Sequence, residues 1–403
     1  GSLSPAAVHT LYGRSITLSA SRMDKARACH FAYFMQYGLR AKERTPAGFD
    51  APQVGTFVHD VMEQTLCRAV ERGGVKALRR EELHALVRQA IEEYIARELP
   101  DLDEKNARFR YLFRRLCDSV YRIMDSTVEE LSVSDFEPMA FELEFGPAGQ
   151  LPAVTIREAG EELRVVGKVD RVDGYIKNGR LYLRVMDYKS GKKSFSLSDI
   201  WYGLNMQLII YLYALQQEGL DRYRARLTAE LDEIVPAGVL YVPVRDELPD
   251  AARDTDEDGL RILRDKALRR SGLLSDDMAL LEAMEHGLEG DGRFIPVSIK
   301  TKKGEDEPTL SAKSAVADLA KFGRLARYTH EKLLEMGQEL RRGSVEADPC
   351  KKDRGSCFCD WCDFRAACRF DETAGDRARW LRHLSDEDFW QQVGGENNAE
   401  VDN

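Results

Sequence analysis

An α+β fold is what this sequence predicts, on three observations. The first third reads as helix. Residues 138–188 then alternate short runs rich in Val, Leu, Ile, Tyr and Phe with turn signals. A helical stretch at 203–217 leads into one more compact apolar run, AGVLYVPV, at 237–244. With 403 residues, 43% hydrophobic and 32% charged, the chain has material for a sizeable core and suits one large domain or two or three ordinary ones.

In chain order, Gly1 and Ser2 resemble the remnant of a cleaved tag, so the native beginning is expected to be missing; no signal peptide follows. Ser19 is a plausible cap for a helix over 19–39 that carries Cys29, with Phe31, Phe34, Met35 and Leu39 at helical spacing. Three more helical patterns cover 54–72, 80–98 and 104–131, broken at Gly73-Gly74 and Pro100. Strands are predicted at 138–145, 152–158, 162–176 and 180–188, with turns at Gly146-Pro147, Gly160 and Asn178-Gly179, forming a small, mostly antiparallel sheet. The charged stretch 245–310 reads as an insertion between core elements. A long amphipathic helix at 312–340 precedes a Cys-rich segment at 350–368, and 386–403 reads as a weakly ordered tail. There is no internal repeat, no Walker A motif and no run of about 18 apolar residues, so neither an ATP site nor a membrane span is predicted.

A net charge of −10 excludes a generally basic nucleic-acid coat, because phosphate binding draws on Lys and Arg. Any such contact must be local or lent by a partner. Basic residues cluster at Lys189, Lys192 and Lys193 and at Lys351, Lys352 and Arg354, runs that are most often solvated surface.

Chemistry concentrates in two segments of one predicted hairpin, GKVDRVD at 167–173 and RVMDYK at 184–189. Asp187 and Lys189 are two apart and share a strand face, and Asp170 on the neighbouring strand would add a second carboxylate. Two close carboxylates repel and so share a proton or hold a cation, for which Mg2+ or Mn2+ suits an oxygen-rich site. Such a cation polarises a phosphate and activates water, while an ammonium meets the developing charge. A D-x-K triplet alone is more readily the outward face of an amphipathic hairpin. Downstream, Gln207 and Tyr211 share one helix face at i and i+4.

In these motifs the chain resembles the PD-(D/E)XK nuclease superfamily, and within it the C-terminal nuclease domain of AddB/RecB-type helicase-nucleases. Asp170 stands as the first acid, with Val169 where the family name has Pro, and Asp187-Tyr188-Lys189-Ser190-Gly191 matches their D-Y-K-[ST]-G form. The resemblance implies a restriction-endonuclease-like core, a central mixed sheet flanked by helices with large helical additions. It makes His59, in GTFVHDVME, a metal ligand together with Asp170, Asp187 and the backbone carbonyl of Tyr188. It makes Lys189 catalytic, and lets Gln207 and Tyr211 position Lys189 or a phosphate. Glu63, one turn beyond His59, is read as a supporting residue outside the metal shell.

Eight cysteines without a secretory signal argue for metal binding or burial in a reducing cytoplasm, not for disulfides. Cys359, Cys362 and Cys368 follow C-x2-C-x5-C, and Cys350 and Cys357 lie close enough to complete a zinc site. The resemblance favours iron: AddB-type nucleases carry one Cys in the first helical segment and three in this spacing. It assigns Cys29, Cys359, Cys362 and Cys368 to a 4Fe-4S cluster, with Cys350 and Cys357 as spectators; Cys67 and Cys117 read as buried small hydrophobes. Residues 254–265, DTDEDGLRILRD, imitate the start of an EF-hand but place Asp265 where Glu belongs, and read as an acidic turn before a helix.

The implied reaction is metal-dependent hydrolysis of single-stranded DNA by the nuclease part of a double-strand-break-processing complex of AddAB/RecBCD type, fed by a helicase subunit. The implied organisation is a single nuclease domain over 3–385, with its core at 136–244 and an iron-sulfur staple joining Cys29 to 350–370. A CRISPR-associated iron-sulfur nuclease shares the motif set but is usually much smaller. A vestigial DNA-end-binding scaffold is opposed by the intact His59, Asp170, Asp187 and Lys189.

Overall fold

The computed structural model describes all residues except 43–50, 159–160, 190, 192, 228–229, 245–250, 253, 301–307, 353–354 and 395–403. Gly160, Ser190, Lys192 and Arg354, singled out above, therefore lie outside the described residues, as does the end of the predicted tail.

The chain opens with α1 (Pro5–Tyr12), β1 (Ile16–Leu18), α2 (Ala20–Ala28) and α3 (His30–Tyr33), then three long helices, α4 (Ala51–Glu71), α5 (Arg80–Glu98) and α6 (Ala107–Ser132). Five strands follow, β2 (Glu137–Phe145), β3 (Val154–Glu158), β4 (Glu161–Val165), β5 (Gly167–Lys177) and β6 (Arg180–Lys189). Helices α7 (Leu197–Trp201), α8 (Gln207–Glu218) and α9 (Leu220–Leu227) lead to β7 (Glu233–Pro243). Beyond it come α10 (Glu257–Leu268), β8 (Ser271–Ser275), α11 (Met278–Met284), β9 (Ile299–Lys300), β10 (Thr309–Leu310), β11 (Val316–Ala317) and α12 (Leu319–Arg341). The last elements are β12 (Cys350–Lys352), α13 (Arg365–Cys368), β13 (Arg379–Leu381) and α14 (Asp386–Gly394). Among the described residues no helix is long and apolar enough to cross a membrane.

The central sheet has six strands in the order β11-β8-β7-β6-β5-β2. It is mixed: β6 pairs with β7 in parallel, while β2–β5, β5–β6 and β7–β8 are antiparallel. The β5–β6 turn is Asn178-Gly179, both at positive φ as a two-residue hairpin requires. A parallel neighbour needs a crossover, and α7, α8 and α9 supply it, which is what brings α8 over the end of β6. One face of the sheet packs on α8 and α12 and the other on α4, α5, α6 and α11.

Five expectations are corrected. The 19–39 helix breaks at Cys29, which is extended at φ −172° and ψ 128°; Asp348 accepts from the His30 amide at 2.9 Å and so caps a fresh helix start. The 162–176 strand is two strands in two sheets, because Val166 donates to Leu18 O and β4 lies between β1 and β3 in a separate three-stranded sheet. The 245–310 stretch is not wholly an insertion: β8, with Leu273 and Leu274 buried, pairs with β7 inside the central sheet. Residues 386–394 are helical, and Phe389 is fully buried against Tyr328 and Trp201. Cys67 and Cys117 are half-buried, not fully buried. The 254–265 run is, as expected, an acidic turn into a helix, with Asp256 as the cap accepting from the Gly259 amide at 2.8 Å.

Beneath the sheet lies a buried charge network. Asp173 takes both Nε and Nη2 of Arg171 at 2.7 Å and Nε of Arg184 at 2.9 Å. Glu130 of α6 takes Arg184 at 3.1 Å and Arg270, just before β8, at 2.7 Å. Burial alone would raise the Glu130 carboxyl, but Arg270, Arg184 and Arg171 hold it below the usual carboxylate range. Its contribution is therefore present above the ordinary Glu range and is lost as pH falls through the depressed folded value. Glu130→Gln, which leaves guanidinium groups buried without their partner, is expected to cost about 3–5 kcal/mol at neutral pH, read from urea unfolding midpoints. A cost under about 1 kcal/mol would show that the network is not holding α6 to the sheet.

Candidate active site

Strand alternation places Asp187 and Lys189 on the face of β6 covered by α8, while Tyr188 packs toward α4–α6. The Lys189 ammonium pairs with Asp187 Oδ2 and donates to Gln207 Oε1 at 2.9 Å. The Gln207 amide in turn donates to Tyr211 Oη at 2.9 Å, so the first turn of α8 fixes the lysine head group. Asp187 is buried, and its Oδ1 has no hydrogen-bond partner among the described residues.

Beside this chain of contacts stand His59 from α4, Glu142 from β2 and Asp170 from β5, with one ligand atom of each within 4.8 Å of the others. Tyr188's backbone organises two of the three. Its amide donates to Asp170 Oδ2 at 2.7 Å, and its carbonyl lies 3.2 Å from His59 Nε2. A ring N–H given to that carbonyl leaves Nδ1 as a lone pair, and Nδ1 lies 3.6 Å from Asp170 Oδ1 and 3.8 Å from Glu142 Oε1. Burial, with the charges of Asp187 and Glu142 beside it, pushes the Asp170 carboxyl well above the usual carboxylate range. A cation relieves that repulsion. One imidazole, clustered carboxylates and an orphaned carboxylate oxygen form a donor set that could hold a divalent ion.

The structure thus brings together His59, Asp170, Asp187, Tyr188, Lys189, Gln207 and Tyr211, and adds Glu142, which the sequence reading missed. In FELEF the alternation marks Phe141, Leu143 and Phe145 as inward and Glu142 as solvent-facing. Glu142 instead adopts φ +46°, the left-handed region that non-glycine residues avoid, and its side chain is only 13% exposed. It also pairs with Lys168 Nζ at 2.5 Å. Of the two basic runs, Lys351 and Lys352 are paired with Glu372 and Asp199, whereas Lys189 and Lys193 share the ring of Tyr241 in the site.

The break at Cys29 points that residue toward the C-terminal cysteine segment, where it packs with Phe364, Phe358 and Cys362. Around Cys359 lie Cys29, Cys357 and Cys362, and their mutual charge adds to burial in pushing its thiol up to about 12. Cys368 has Cys362 as a neighbour. All eight cysteines are free. Cys29 is thus brought from the start of the chain to the C-terminal cysteine segment, and Cys357, expected to stand aside, lies beside Cys359; among the described residues no three of these thiols lie within 4.8 Å of one another.

Residues 17–369 match the PD-(D/E)XK nuclease superfamily, and the chain belongs to it. The chain is similar to the B-type subunit of the ATP-dependent helicase/deoxyribonuclease of Clostridium tetani, 32% identical over 390 residues, which are 96% of this chain and 33% of that protein. It is similar to the corresponding protein of Ruminiclostridium cellulolyticum, 33% identical over 388 residues (95% and 32%), and of Acetivibrio thermocellus, 33% identical over 396 (96% and 33%). The chain spans about a third of the length of these relatives.

Proposed function

We propose that this chain hydrolyses phosphodiester bonds of single-stranded DNA in a Mg2+- or Mn2+-dependent reaction, as the cytoplasmic nuclease part of a helicase-nuclease that processes double-strand breaks. The observation that carries this reading is the gathering of His59, Glu142 and Asp170 beside the Asp187–Lys189–Gln207 chain. The relatives' name, which joins a helicase to a deoxyribonuclease, supports a helicase partner that supplies the unwound strand, as in AddAB/RecBCD-type complexes.

His59, Glu142, Asp170 and Asp187 would hold the metal, with the second lone pair of the Tyr188 carbonyl available to it. Once bound, such an ion polarises the phosphate and lowers the pKa of an attacking water. Lys189 is placed by Asp187 and Gln207 to meet the charge that develops on the phosphate. Gln207 and Tyr211 act through Lys189. Cys29, Cys359, Cys362 and Cys368 would hold a 4Fe-4S cluster that ties the start of a single nuclease domain, 3–385, to its end.

The test is cleavage of an end-labelled single strand by the purified chain with Mg2+ or Mn2+ and with chelator, alone and with its helicase partner. Metal-dependent cleavage supports the proposal; metal-independent cleavage, or none in either setting, overturns it. Gln207→Ala is expected to slow single-turnover cleavage about tenfold without abolishing it, because it frees the Lys189 head group but removes no ligand. A rate equal to the parent's would leave Gln207 a packing residue.

A further inference from the structure

The Lys189 ammonium has two side-chain partners, but a second lysine in the same site has no carboxylate in ion-pair contact among the described residues. Lys193 follows β6 by four residues, and its ammonium lies 5.3 Å from the centre of the Tyr241 ring, the same ring that has the Lys189 ammonium at 5.6 Å. Tyr241 reaches this position because β6 and β7 run in parallel with Asp187 opposite Tyr241. Lys189 is held by Asp187 and Gln207. Lys193 has no carboxylate within ion-pair distance among the described residues; Asp24 on α2, Asp187 on β6 and Asp199 on α7 act on it only at longer range. The hydroxyl of Tyr241 is also without a hydrogen-bond partner among the described residues, although the residue is only 2% exposed.

An ammonium partly withdrawn from water with no carboxylate in direct contact, and a buried hydroxyl without an acceptor among the described residues, are each unfavourable in the free protein. Both are relieved by one visitor: an anion with several acceptor oxygens, arriving next to Lys189. The Tyr241 ring lies within cation–π reach of both ammonium groups, which also share the fields of Asp187 and Asp24.

We propose that Lys193 and Tyr241 form a second phosphate position beside Lys189, gripping the phosphate next to the scissile one in a single-stranded DNA substrate. The inference rests on the reading of the chain as a single-strand nuclease. Lys193 supplies charge and Tyr241 a neutral hydrogen bond, so the two residues have different signatures. Each released counterion adds to the salt dependence of binding, and a neutral donor adds nothing to it.

The experiment measures binding of fluorescein-labelled oligo(dT) to the full chain in Ca2+, without turnover, over a series of NaCl concentrations. Lys193→Gln is expected to reduce the slope of log K against log salt by about 0.7, the contribution of one phosphate contact on a single strand. Lys193→Arg restores the slope. Tyr241→Phe weakens binding about fivefold at every salt concentration and leaves the slope alone. In steady-state cleavage, Lys193→Gln raises KM roughly tenfold and lowers kcat by less. A parent-like slope in a folded Lys193→Gln, or a loss confined to kcat, overturns the proposal. Because the slope is read without cleavage, an inactive parent that binds with a Lys193-dependent slope overturns the nuclease reading and spares the phosphate position.

Discussion

Asp187→Ala is expected to lower Mg2+-dependent cleavage of single-stranded DNA by at least about a thousandfold while the protein stays folded. Asp187 is buried with one oxygen on Lys189 and the other without a partner among the described residues, so its removal takes away a candidate ligand and the anchor of the lysine together. The fold tolerates the change because Lys189 keeps Gln207, and its side chain, 22% exposed, can reach water. Asp170→Ala should match it. Lys189→Ala should lose cleavage to a similar degree but retain Mn2+ binding, since an ammonium is not a ligand. Single-turnover rates paired with calorimetric Mn2+ titration separate the three variants. Substantial activity in either aspartate variant would remove the proposed metal site, and loss of both metal binding and the unfolding transition in Lys189→Ala would point to misfolding instead.

Cys29→Ser is the second large effect. The parent is expected to carry about four iron and four sulfide per chain with broad visible absorbance, and Cys29→Ser to lose all of it. Cys29 and Cys359 are about 330 residues apart in sequence, so a centre that joins them restricts the unfolded chain over a very long loop. Its loss should lower stability by roughly 2–5 kcal/mol and loosen the 350–370 segment, detectable as faster hydrogen exchange there. Cys350→Ser and Cys357→Ser should retain iron and sulfide. Zinc without sulfide in the parent, or a cluster that survives Cys29→Ser but not Cys357→Ser, would overturn the assignment; the closeness of Cys357 to Cys359 makes that comparison the decisive one.

The local patterns that could be read were those set by chain neighbours. The helix predicted over 80–98 is Arg80–Glu98, because its apolar residues recur at 3.6-residue spacing and Pro100 stops it. The 180–188 strand is Arg180–Lys189, and Asn178-Gly179 makes the turn before it. Where a partner distant in sequence decides, local pattern is silent. Phe389 belongs to a helix only because Trp201 and Tyr328 offer it a pocket. Ser271–Ser275 becomes a central-sheet strand only because β7 presents an edge, and five residues in a charged stretch carry too little periodicity to announce that. Cys29 leaves its helix because Asp348, more than 300 residues later, caps the next one.

By itself the sequence determined the α+β class and the D-x-K pair, because strand alternation alone puts Asp187 and Lys189 on one face. It also marked Gln207 and Tyr211, one helical turn apart, as neighbours. Only the tertiary structure decided that Glu142 stands with His59 and Asp170, that Tyr188 holds two of those three through its backbone, and that Tyr241 lies beneath both lysines. The physical reason is the same in each case. These contacts join α4, β2, β5 and β7 to the end of β6, and a backbone amide, a backbone carbonyl and an acid at positive φ leave no periodic trace in the order of residues.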